Sequence, residues 1–145
     1  MDALKKVIGV VLIIIAAIVA IHTVIEPLYH TSDPNSDNPY SSVWGYINVL
    51  SAISIVLGLI FSYIRLNKVG DNSSVQEFIA ANTLFYGFMF AAIIFFWNWF
   101  GILNATTFTA VGAETRSTVW IIIDALLPLL NGALGAHLLR SKASE

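Results

Sequence analysis

Thr118–Arg140, TVWIIIDALLPLLNGALGAHLLR, decides the fold. As a helix it is long enough to cross the ~30 Å hydrocarbon core of a bilayer. It still carries Asp124, Pro128, Asn131 and His137 inside an otherwise apolar run. A shorter counterpart lies upstream: Val43–Leu50 is VWGYINVL, and Val119–Leu126 is VWIIIDAL. Working outward from these two stretches, the hydropathy pattern predicts four membrane spans, over about 4–26, 43–65, 78–103 and 118–140.

Composition supports this reading. The 145 residues are 57% hydrophobic and 11% charged, where soluble domains hold about a quarter charged. A soluble fold of this length has too little interior for so many apolar side chains, so the excess faces lipid. The net charge is −2 and no basic cluster appears, which speaks against a nucleic-acid partner. The chain has no cysteine, which excludes thiol redox chemistry and cysteine-ligated clusters. Lys5 and Lys6 precede the apolar run from Val7, which continues to Ile25 with no small-x-small site after it, so the run is read as an uncleaved first span.

The connections carry their own signals. Pro27 is expected to end span one, because the residue before a proline is pushed out of the helical region. Thr31–Ser42, TSDPNSDNPYSS, is turn chemistry throughout. Ser41 or Ser42 is expected to cap span two, and Gly70 to stop it after Arg65 and Lys68. Ser74 and Glu77 have the spacing of a capping box for span three.

Orientation follows from charge. Lys5, Lys6, Arg65, Lys68, Arg140 and Lys142 share one side and Arg116 lies opposite, which predicts a multi-pass protein of the cell membrane with both termini cytoplasmic. Trp44, Trp97, Trp99 and Trp120 are expected at the outer headgroup layer.

Helices in lipid associate through small residues that allow close approach. Stripes of that kind predict the inward faces: Gly9, Ala16, Ala20 and Thr23 in span one; Asn48, Ser51, Ile55, Gly58 and Ser62 in span two. Span three offers Ala80, Thr83, Gly87, Ala91, Ile94 and Asn98, and span four Asp124, Pro128, Asn131 and Gly135. The expected fold is therefore an all-α, integral-membrane four-helix bundle forming a single domain. A shift of 76 residues superposes Trp44 on Trp120, Asn48 on Asp124 and His22 on Asn98. It suggests a 2+2 helix repeat, with chance resemblance as the alternative.

Four residues, His22, Asn48, Asn98 and Asp124, fall at similar depth in the outer half and form the candidate intramembrane polar cluster. Asp124 is the sharpest of them. A carboxylate in a span is costly and is expected to face the bundle, either as a cation-responsive site or as a polar clamp that fixes register. His22, Glu26 and His30 recur every four residues and are the candidate metal ligands, since imidazole and carboxylate suit zinc, copper or iron. Against them, Pro27 falls between the second and third, and polar residues are ordinary near headgroups.

Other patterns fail. Asp33, Asn35 and Asp37 open like a calcium loop, but Asn38 stands where glycine is needed and Trp44 where the bidentate glutamate should be. His22 and His137 are expected near opposite sides of the membrane, which speaks against a haem ligated by both. His137 is expected to reach the inner headgroups beside Arg140. Asn104-Ala105-Thr106 is a glycosylation sequon. No nucleophile–base pair, phosphate loop or HExxH motif is present.

The sequence thus predicts no enzyme and no resident cofactor. Its first functional reading is a non-catalytic subunit or accessory protein of a larger membrane complex, with lipid and a membrane-protein partner or second copy as its contacts. The alternatives are a small oligomeric transporter or channel using the Asp/His site, and a metal-binding membrane protein.

Overall fold

The computed structural model describes residues 2–31, 40–70, 73–104 and 112–140. The calcium-like stretch at 33–37, the sequon's positions 105–106 and Lys142 lie outside these. The described residues fold as four helices: α1 (Asp2–Tyr29), α2 (Trp44–Leu66), α3 (Val75–Leu103) and α4 (Ala113–Arg140). Each is long and apolar enough to cross a membrane, so this is a small polytopic membrane protein.

The helices form a square in chain order. α1 packs on α4 and α2, α3 packs on α2 and α4, α2 touches α4 across the diagonal, and α1 does not meet α3 among the described residues. Neighbours run antiparallel. At one end Arg65 of α2 pairs with Glu77 of α3 at 2.9 Å, and Gly9 of α1 abuts Gly135 of α4. At the other end Trp44 of α2 meets Glu26 of α1 at 2.6 Å, and Asn98 of α3 reaches the Arg116 carbonyl of α4 at 3.3 Å. Lys5, Lys6, Arg65, Lys68 and Arg140 therefore gather at the Gly9–Gly135 end, with Arg116 opposite.

Local chemistry sets the helix ends. Ser74 is the N-cap of α3, its hydroxyl accepting the Glu77 N–H at 3.2 Å. The Glu77 carboxylate does not fold back to complete the box; it holds Arg65 instead. α2 has no side-chain cap. The carbonyls of Ser41 and Ser42 take the Trp44 and Gly45 N–H groups, and the Ser41 hydroxyl is used elsewhere. Gly70 does not act as a left-handed stop, because no glycine here has positive φ and α2 already ends at Leu66.

The small-residue stripe of α2 is buried at Ser51, Ile55, Gly58 and Ser62. That of α3 is rotated by one position: Ala81, Leu84, Phe88, Ala91, Phe95, Asn98 and Gly101 are buried, while Thr83 is exposed. The reason is size complementarity. A Cβ at Gly58 would strike the Phe88 ring, so the space that α2 leaves open is filled by a large residue of α3 rather than matched by another small one. Trp120 is likewise buried, edge-on to Phe95 of α3 at 5.6 Å. Ser54 of α2 and Asn131 of α4, both wholly buried, bond at 3.0 Å across the diagonal.

Candidate functional site

The densest polar grouping lies where α1 ends and α2 begins. Helix α1 continues through Pro27 to Tyr29, and the His30 N–H bonds the Glu26 carbonyl at 2.9 Å. The expected break at Pro27 does not occur, since a proline forfeits one bond, to the Thr23 carbonyl, and the next turn can close beyond it. His22, Glu26 and Tyr29, at spacings of four and three, thus share one face, turned toward α2.

Glu26 accepts from both sides. Its Oε1 takes the backbone N–H of Ser41 at 2.8 Å and its Oε2 the indole N–H of Trp44 at 2.6 Å. Bonds to a carboxylate are the stronger kind. His22 is buried and packs edge-on against Trp44, ring centres 4.7 Å apart. The Tyr29 hydroxyl lies 3.2 Å from His22 Nδ1 and 3.3 Å from Ser41 Oγ. Ser41 Oγ is 3.5 Å from His22 Nε2. Ser41, Tyr29 and Trp44 were not legible as site residues. The signal was the four–three spacing from His22 to Tyr29, which shows only once Pro27 is allowed inside the helix.

This knot ties α1 to α2. Ser41 and His22 approach like a loose nucleophile and base. The carboxylate that would orient the base is bound to Ser41 and Trp44 instead, and the Ser41 N–H, the natural oxyanion donor, is itself taken.

The four residues of the expected polar cluster fall into separate settings. His22 belongs to the knot. Asn98 turns to α4, its Nδ2 on the Arg116 carbonyl, with its buried Oδ1 unpaired. Asn48 is half-buried one turn inward of Trp44. Asp124 is half-buried on α4, within electrostatic reach of Glu26, and has no hydrogen-bond partner among the described residues. Among those residues no group of three histidine or acidic side chains could hold a metal, His22, Glu26 and His30 included. His137 is half-buried within electrostatic reach of Arg65 and Glu77.

No family model, curated protein or solved structure matches this chain. The geometry alone carries the functional reading.

Proposed function

We propose that this protein is a non-catalytic subunit or accessory protein of a larger membrane assembly, docked through α3. One observation carries the reading: two hydroxyls face outward near the middle of α3 with no bonding partner among the described residues. Tyr86 is 59% exposed and Thr83 is exposed, and neither has a hydrogen-bond partner among the described residues. α3 runs from Val75 to Leu103, about 42 Å of helix, and Tyr86 lies within three residues of its centre at Met89.

A polar group left unbonded in hydrocarbon is costly. Other threonines of the chain avoid this by bonding their own helix, Thr23 to the Val19 carbonyl and Thr118 to the Glu114 carbonyl; Thr83 does not. Its neighbours on the same face, Ile79, Phe90 and Ile93, are exposed as well. Spacings of 79, 83, 86, 90 and 93 give the alternating four–three seam that a left-handed crossing with a second helix requires. The partner is a transmembrane helix presenting hydrogen-bonding groups at mid-depth.

The test is co-purification from native membranes after gentle detergent extraction, wild type against the double variant Thr83→Val, Tyr86→Phe, which removes two oxygen atoms and little else. Each interhelical bond in lipid contributes about 0.6–1.7 kcal/mol, so recovery of the partner is expected to fall about tenfold or more. Equal recovery with both proteins, or a wild type extracted only as a lone monomer, overturns the reading.

A further inference from the structure

We infer that the partner seated on the α3 seam is a second copy of this chain. The two α3 helices lie parallel about a two-fold axis along the membrane normal, with Tyr86 of each copy bonded to Thr83 of the other. The inference rests on docking through α3 and names what docks there.

The position of the two hydroxyls sets them apart. Among the described residues, the other hydroxyls of the four helices are buried, bonded to their own helix, or near a helix end. Ser51, Ser54 and Ser62 are buried in α2, Thr23 and Thr118 bond their own helices, and Tyr46 and Tyr63 lie in the first and last turns of α2. Thr83 and Tyr86 alone present hydroxyls outward from the middle of a helix. They stand directly opposite the packed face. Phe88 is wholly buried against α2, whereas Tyr86 and Phe90, two residues to either side, are 59% and 52% exposed. Two residues turn an α-helix through about 200°.

Orientation fixes how two copies meet. Lys5, Lys6, Arg65, Lys68 and Arg140 gather at one end of the bundle, so every copy inserts the same way round. Two copies that share a face must then be related by an axis along the membrane normal. Their α3 helices run parallel, and identical residues come to identical depth. In a parallel pair each seam position faces its own counterpart. A helical side chain leans back over the turn on its N-terminal side. Tyr86 therefore leans toward the level of residue 83, about 4.5 Å below its own Cα level, and meets Thr83 of the second copy. By symmetry the same bond forms twice.

Chemistry selects the copy over a different protein. The partner must offer a donor and an acceptor at the depth of residues 83 and 86. A hydroxyl is both donor and acceptor, so the seam supplies its own complement. Size agrees, because Thr83 is the smallest residue of the seam and leaves room for the facing tyrosyl ring. Residues 78–103 contain no charged side chain and no proline. Nothing on or beside the seam therefore repels a copy, and nothing breaks the helix. A seam built for a different chain commonly carries charges that choose it; this one carries none.

The experiment is mild oxidation of single-cysteine variants in native membranes, which the cysteine-free chain allows. Ile79→Cys and Ile93→Cys lie on the seam, and each is expected to give a disulfide-linked product of twice the chain mass. Ile14→Cys, 52% exposed on α1, is expected to give none. Energy transfer between fluorescently tagged copies in liposomes, followed as lipid is added, measures the affinity. In Thr83→Val, Tyr86→Phe the association constant should fall about tenfold or more, since two symmetry-related bonds are lost. No dimer from the seam cysteines, as much dimer from Ile14→Cys, or unchanged association in the double variant overturns the inference. If the seam cysteines give no dimer while the double variant still loses a different protein on co-purification, the second copy is overturned and docking through α3 stands.

Discussion

Gly135→Ala is expected to destabilise the bundle by about 1–3 kcal/mol, while Gly132→Ala, on the same helix, is expected to be neutral or to gain up to about 1 kcal/mol. The chemical change is identical in the two variants and the surroundings differ. At Gly135 the added carbon would lie 2.8 Å from the Gly9 carbonyl oxygen and 2.8 Å from Ile13 Cγ1. A side chain such as Ile13 can turn aside, but a backbone oxygen cannot, so α1 and α4 must separate along their length. At Gly132 nothing lies within 4 Å, and only the better helix propensity of alanine remains. Unfolding in mixed micelles with increasing dodecyl sulfate measures both. Equal midpoints for the two variants would mean that α1 and α4 do not touch at this point.

Glu26→Ala is expected to cost about 3 kcal/mol or more, because two bonds to a charged acceptor, at about 1.5–3 kcal/mol each, disappear together. The Ser41 N–H and the Trp44 indole N–H are then left without their acceptor at the α1–α2 corner. Glu26→Gln keeps one acceptor oxygen but sets an amide NH2 against the second donor, so its loss should fall between wild type and alanine. With Trp97, Trp99 and Trp120 replaced by phenylalanine, Trp44 fluorescence reports the corner directly. Its emission should shift to the red in Glu26→Ala as water reaches the indole. Unchanged stability together with unchanged emission would mean that Glu26 does not hold the corner.

The four spans were legible because length and hydropathy act over whole segments, and one misplaced residue does not alter the sum. The Ser74 cap was legible for the opposite reason, being local. Three features lay between those scales. The buried face of α3 is set by what α2 leaves open at Gly58, which a single helix's pattern does not contain. Pro27 was read as a terminator because its penalty is local, whereas continuation is supported by contacts fifteen and more residues away, Ser41 just before α2 and Trp44 at its start, both with Glu26. Asp124, half-buried on α4, was legible as an anomaly. Its neighbours were not: equal depth along the chain placed Asn98 and His22 beside it, but in the bundle Asn98 turns to the Arg116 carbonyl and His22 to the α1–α2 corner.

Register from the Gly9–Gly135 contact places Asp124 in the α1–α4 seam, level with Ala20, and paired cysteines test that most directly, since the chain has no cysteine of its own. Ala20→Cys combined with Asp124→Cys should cross-link on mild oxidation in membranes, read as loss of thiol labelling in the intact mass. Ala20→Cys with Ile122→Cys should not, because Ile122 is 47% exposed on a different face of α4. Cross-linking through position 122 and not through 124 would turn the aspartate out of the seam and contradict the account.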